Sequence, residues 1–169
     1  FAKPEDELFK AIEKGELHRN FQGYTTKGGA DLIGIGLTSI GNGVDYYAQN
    51  YKDLKSYEAA IDNGDLPTFK GYRLSDDDQL RQFVIMELMS NFSLNITRVE
   101  NEFNVNFKEY FADAIEALAE FVEADLVEIT DEKIQVSQTG TMLIRNICMP
   151  FDAYLNKIPE HKRRFSKTI

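Results

Sequence analysis

Three stretches of this sequence carry side chains suited to meeting a ligand. The first is Asn20-Phe21-Gln22-Gly23-Tyr24. An amide there can hydrogen-bond an adenine edge or a carboxylate, and an aromatic ring can stack on a base. The same stretch also reads as an ordinary ordered loop around a buried phenylalanine. The second, Tyr46-Tyr47-Ala48-Gln49-Asn50, has similar chemistry and the same two readings. The third is Gly34-Ile35-Gly36. It lacks the third glycine of a dinucleotide fingerprint, with Ser39 standing in that place, and it lies inside an apolar run rather than after one. Its bare backbone suits either a ligand lying against it or tight packing against another strand.

Other reactive groups are few. Cys148 is the single cysteine and falls among Ile144, Ile147 and Met149, as a buried structural thiol does. His18 and His161 stand near opposite ends of the chain, so no zinc or haem site is legible. No Ser/His/Asp set, CxxC or metal-spaced carboxylate pair occurs. The residues therefore predict no complete catalytic site and no metal ligand within this chain.

The elements that must position these residues fall into two groups. Pro4 to Lys14 reads as a helix with acidic residues in its first turn and Gly15 as its stop. Residues 20–29 show neither helical nor strand period. Leu32-Ile33-Gly34-Ile35-Gly36-Leu37 reads as a strand buried on both faces, of the kind found in parallel sheets, and residues 38–43 as the ligand-facing loop at its C-terminal end. Asp53 to Asn63 reads as a helix and residues 68–74 as a short extended piece. The character changes at Ser75, where Ser75 and Asp78 form a capping-box variant and an apolar stripe through Leu80, Phe83, Val84 and Leu88 runs to Asn91. A second box at Thr97–Glu100 opens a short helix to Phe103. Phe107, Phe111, Ile115, Leu118 and Val122 mark a third helix. Residues 126–130 and 133–137 alternate as a hairpin, and residues 139–155 return to a helical period that Pro150 interrupts.

Three helices followed by a hairpin is the order of a winged helix. The fold class expected is α+β, with residues 1–71 as the end of a larger α/β domain and 72–169 as a mostly helical, winged-helix-like domain. One buried parallel strand needs neighbours, so sheet partners are expected upstream of Phe1.

Charge narrows the function. The 169 residues carry a formal net charge of −9, which repels phosphate backbones. The segment at 107–123 would be the DNA-reading helix, yet it holds Lys108 against Glu109, Asp113, Glu116, Glu120 and Glu123. A packing or lid role suits it better than a groove. The basic residues Lys157, Lys162, Arg163, Arg164 and Lys167 read as a solvated tail. No apolar run approaches the roughly 20 residues of a membrane span, and no secretory leader is legible, which points to the cytoplasm.

The block His18-Arg19-Asn20-Phe21-Gln22-Gly23-Tyr24-Thr25-Thr26, followed by Asp31–Gly36, resembles the HemN-type oxygen-independent coproporphyrinogen III dehydrogenases of the radical S-adenosylmethionine superfamily. The likeness continues through Tyr47–Asn50, Thr139-Gly140, Leu143–Met149, Phe151-Asp152, Tyr154-Leu155 and Phe165-Ser166, and so covers essentially the whole chain. The resemblance implies the C-terminal part of an enzyme that decarboxylates two propionates of coproporphyrinogen III to vinyls, giving protoporphyrinogen IX in haem biosynthesis. It implies a [4Fe-4S] cluster and S-adenosylmethionine as cofactors in the complete enzyme. The CxxxCxxC cluster motif is absent from this chain, so the chain alone is expected to be inactive. By resemblance Phe21, Gln22 and Ile40 contact a second S-adenosylmethionine; Arg145 and Asn146 carry part of the likeness, and the resemblance assigns them no role. The implied partners are the porphyrinogen substrate and the N-terminal barrel, with no nucleic acid and a monomeric state. A stand-alone winged-helix binding module and a haem-chaperone relative are the alternatives. The Phe-Gln-Gly-Tyr wording speaks against the chaperone.

Overall fold

A computed structural model describes residues 3–157. His161, Phe165-Ser166 and the basic residues beyond Lys157 lie outside the described residues. The chain divides into two compact units, one running to Gln79 and the other from Leu80 onward.

In the first unit, α1 (Glu7–Lys14) begins after Asp6, whose carboxylate accepts from the Leu8 N–H, and ends at Gly15 with φ +67°. The start is later than Pro4 because Asp6 supplies the N-terminal cap. The stretch after it is not irregular. Strands β1 (His18–Asn20) and β2 (Gly23–Thr25) pair antiparallel, with Asn20 opposite Gly23. Only Phe21 and Gln22 remain in the turn, which Asn20 ties by accepting from the Gln22 N–H at 2.8 Å. Three strands follow in one antiparallel sheet, β3 (Ile40–Asn42), β4 (Tyr46–Asn50) and β5 (Thr68–Arg73), in that order. Helix α2 (Leu54–Asp62) crosses between β4 and β5, with Asp53 capping it through the Ser56 N–H.

The buried parallel strand expected at 32–37 does not form. Leu32 alone makes an antiparallel bridge, to Asn42. Ile33 and Ile35 are 80% and 86% exposed. Their glycine neighbours turn inward instead, so the run presents its apolar side chains to solvent and its bare backbone to the protein.

Helix α3 (Asp76–Asn91) starts on the expected box: Ser75 Oγ accepts from the Asp78 N–H, and the Asp78 carboxylate accepts from the Ser75 N–H. From Leu80 onward a true core assembles. Val84, Leu88, Val99, Phe107, Leu118, Ile134, Ile147 and Phe151 are each fully shielded. The rings of Phe107, Phe111 and Phe151 meet at its centre.

The winged-helix order holds, with three corrections. A short strand, β6 (Ser93–Asn95), precedes the second helix and joins the hairpin strands β7 (Val127–Ile129) and β8 (Lys133–Val136) in the order β6-β8-β7. Helix α4 (Ile96–Phe103) is capped by Asn95, which accepts from the Arg98 N–H, rather than by Thr97. The expected third helix is three short ones, α5 (Phe107–Tyr110), α6 (Ala112–Ala117) and α7 (Ala119–Glu123). They break at Phe111 and Leu118, both deeply buried, so the chain bends at the side chains it buries. The last segment is likewise broken. A 3-10 turn leads into α8 (Ile144–Cys148), a second 3-10 turn contains Pro150, and α9 (Ala153–Lys157) follows.

Candidate functional site

The first unit buries few apolar side chains. Among the described residues it fully covers Ala11, Leu17 and Leu74, whereas Ile33, Ile35, Val44 and Leu66 stand largely in solvent. Its organisation comes from backbone pairing and from one aromatic face. Antiparallel partners point to the same side of a sheet, and residues two apart share a face. The pairs Ile40↔Gln49, Asn42↔Tyr47 and Tyr47↔Tyr72 therefore place Ile40, Asn42, Gln49, Tyr47 and Tyr72 on one face.

Phe21 joins that face from the hairpin tip. Its ring stands edge-on to Tyr47, with centroids 5.4 Å apart, and remains 55% exposed. Gln22 beside it is exposed. Ile40 is half-buried at the start of β3. The two-residue turn and the strand register thus bring Phe21 and Ile40, 19 positions apart in sequence, to the same side of the sheet. The reading of residues 20–24 as an ordered loop around a buried phenylalanine does not hold, because Phe21 is exposed at the turn of a hairpin. The Tyr46–Asn50 stretch splits: Tyr47 and Gln49 belong to the face, and Asn50 turns inward.

Polar groups frame the face. Burial pushes the Tyr47 phenol above its ordinary range, and the Asp78 charge adds to this. Asp78 is buried and accepts from Ser75 Oγ at 2.7 Å and from the Tyr72 hydroxyl at 3.3 Å. Asn42 Oδ1 is shielded from water and lacks a hydrogen-bond partner in the structure.

The Gly34-Ile35-Gly36 backbone packs on its own chain. A methyl group at Gly34 would lie 3.0 Å from the Ile40 carbonyl carbon, and one at Gly41 would lie 2.7 Å from the Leu32 oxygen. The glycines serve close backbone approach, and Ile40 sits at the point of approach.

The remaining candidates lie in the second unit. Cys148 is buried, and that burial pushes its thiol up to about 12. The carboxylates of α5–α7 are exposed, and their one lysine, Lys108, pairs with Asp131, whose carboxyl it holds below the ordinary range. Arg145 and Asn146 are exposed on α8, next to Met142, which is 85% exposed. No group of three His, Cys, Asp or Glu side chains suited to a metal ion occurs among the described residues. No described helix is long and apolar enough to cross a membrane.

Comparison with known proteins bears on what this face belongs to. Residues 74–143 match the family model of the HemN C-terminal domain. The oxygen-independent coproporphyrinogen III oxidase of Helicobacter pylori is 50% identical over all 169 residues, which correspond to 36% of that protein. The Escherichia coli protein of the same name is 43% identical over the whole chain, covering 37% of its length. A solved structure of coproporphyrinogen III oxidase (HemN) from Escherichia coli, a radical SAM enzyme, superposes with a TM-score of 0.88 and 44% identity over 91% of this chain and 36% of that one. The chain spans little more than a third of the length of these relatives. With its α+β architecture and a match across all its residues, the chain is similar to the C-terminal part of the HemN-type oxygen-independent coproporphyrinogen III oxidases, and its residues 74–143 match the HemN C-terminal domain.

Proposed function

We propose that this chain is the part of an oxygen-independent coproporphyrinogen III oxidase that completes a cosubstrate site and covers the reaction chamber. The carrying observation is the likeness to named oxidases over its full length. In the complete enzyme two propionates of coproporphyrinogen III lose carbon dioxide and become vinyls, giving protoporphyrinogen IX. S-adenosylmethionine, working with a [4Fe-4S] cluster, supplies the oxidising power that removes a propionate hydrogen. The cluster ligands belong to another part of the enzyme, since the lone Cys148 is buried and protonated.

The residues present suit S-adenosylmethionine. An adenine ring needs a flat apolar surface, and the exposed Phe21 ring supplies one. Its edge and the amino-acid end need amide or carbonyl partners, which the exposed Gln22 side chain offers. Ile40 provides an apolar wall on the same side of the sheet. On this reading Phe21, Gln22 and Ile40 hold a second S-adenosylmethionine, and none of them transfers a proton.

Residues 1–71 then serve as the end of the α/β barrel, and the exposed Ile33 and Ile35 are the surface its upstream strands cover. Residues 72–169 serve as a winged-helix-like cover. The exposed carboxylates of α5–α7 disfavour nucleic acid as a partner. The complete protein acts as a cytoplasmic monomer.

Turnover and binding test this. The complete enzyme should convert coproporphyrinogen III anaerobically, and Phe21→Ala should raise its KM for S-adenosylmethionine. The isolated chain should show no iron–sulfur absorption after reconstitution. A cluster band on the isolated chain, or an unchanged KM in Phe21→Ala, would count against the proposal.

A further inference from the structure

Asn50 is one of three buried polar residues among those described, with Asp78 and Ser90. A buried carboxamide is costly unless its N–H groups are paired. Here Nδ2 donates to the carbonyl oxygens of both Gly34 and Gly36, each at 3.0 Å. The Asn50 backbone N–H donates to the Ser39 carbonyl, also at 3.0 Å. One residue of β4 therefore grips the 34–39 loop at three points.

Elsewhere the loop is held by single hydrogen bonds, among them Ser39 Oγ donating to the Ile35 carbonyl at 2.6 Å and the Gln49 side-chain amide donating to the Thr38 carbonyl at 3.2 Å. Ile33 and Ile35 contribute almost no packing, being largely exposed. The Gly36 N–H donates to the Tyr57 hydroxyl at 3.2 Å, and the Thr38 N–H to the Tyr51 carbonyl at 2.9 Å. Thr38 is held at φ +60°, a conformation costly for a β-branched residue, which persists only where its surroundings enforce it. The residues that follow are Ser39 and Ile40. The path of the loop thus fixes where Ile40 enters β3.

We infer that Asn50 is a positioning residue for the cosubstrate site: it clamps the Gly34–Gly36 backbone and so sets the Ile40 wall, without touching the cosubstrate. Both of its amide hydrogens are spent on the loop, leaving none for a ligand. The inference rests on the reading that Phe21, Gln22 and Ile40 bind S-adenosylmethionine.

The test uses the complete enzyme and the variant Asn50→Asp, which keeps the shape but puts carboxylate oxygens against two carbonyls. Peptides covering residues 34–42 should exchange backbone hydrogen at least roughly tenfold faster, as expected for losing two hydrogen bonds. The Kd for S-adenosylmethionine, read by equilibrium dialysis, should weaken by a similar factor, while a peptide covering 127–136 keeps its wild-type exchange. Tyr57→Phe removes a single loop contact and should give about a threefold effect on both readouts. If Asn50→Asp disturbs the 127–136 peptide as well, Tyr57→Phe decides. Unchanged exchange at 34–42, or faster exchange there with an unchanged Kd although Ile40→Ala weakens binding, overturns the inference. Wild-type Kd values in both Phe21→Ala and Ile40→Ala overturn the underlying reading of the site instead, and the inference falls with it.

Discussion

Replacing Gly41 by alanine should loosen the whole ligand-facing edge of the first unit. The added methyl would sit 2.7 Å from the Leu32 carbonyl oxygen and 3.2 Å from the Gly34 nitrogen, both backbone atoms that cannot rotate away. Reaching an ordinary contact of 3.4 Å requires residues 32–34 to retreat by about 0.7 Å. The two hydrogen bonds joining Leu32 and Asn42 are 2.8 and 2.9 Å long and would stretch to roughly 3.5 Å, where such bonds are lost. Overpacking of this kind costs about 1–3 kcal/mol. A value near 2 kcal/mol lowers the urea midpoint by about 1 M at a typical slope. Tyrosine emission is a suitable probe, because the chain has no tryptophan and Tyr24, Tyr46, Tyr47, Tyr51, Tyr57 and Tyr72, of its eight tyrosines, lie in the first unit. Gly71→Ala is the matched control. Its methyl would meet the Tyr47 carbonyl at an ordinary 3.4 Å, so its midpoint should stay within about 0.3 M of wild type. If the two variants shift the midpoint equally, the close approach at Gly41 is not what holds this edge together.

The second unit offers an analogous site. Gly140→Ala would place a methyl 2.2 Å from the Leu126 carbonyl oxygen, so its unfolding midpoint, followed by far-UV circular dichroism, should fall by at least as much as that of Gly41→Ala. Phe107→Ala removes a fully buried ring that touches Phe111 and Phe151, and should cost about 3–5 kcal/mol in the same titration. Cys148 should resist alkylation at pH 8 in the folded protein and react on unfolding. Because burial raises its thiol from an ordinary 9.0 to about 12, its contribution to stability is full below pH 9 and is lost as pH climbs toward 12. Thermal melts between pH 8 and 11 would detect this, and Cys148→Ala should remove that slope. Duplex DNA should give no gel shift even at low salt, since Lys108 is paired and the carboxylates around it are exposed.

The features legible in the sequence were those decided within a few residues. Ser75 and Asp78 are three apart, and their reciprocal bonds form as the spacing required. The 127–136 hairpin and the acidic character of residues 107–123 were equally local. The apolar run at 32–37 misled because its composition fits a buried strand, while the deciding contacts come from Asn50, 14 and 16 residues away. The Phe21–Ile40 pairing was not accessible to residue chemistry either, since it depends on a hairpin register and a sheet register acting together. Resemblance pointed to those two residues, and the strand pairing supplies a physical reason for their company. The breaks at Phe111 and Leu118 are not legible in the sequence, because an apolar stripe looks alike whether a helix is continuous or bent around a core.

The strand order β6-β8-β7 has a consequence for how the second unit is made. Its central strand, β8, is the last of the three to leave the ribosome, and the edge strand β6 must wait for it across the four helices α4 to α7 and the strand β7. The β7–β8 hairpin is local and closes within microseconds, whereas bringing Leu94 opposite Ile134 closes a loop of about 40 residues and is the entropically slower event. Substitutions that weaken the early-formed hairpin should therefore slow folding. Translation that stalls before residue 136 leaves Leu94, buried in the finished fold, with no strand to pair against, so the nascent chain is most exposed to misassociation just before its last strand arrives.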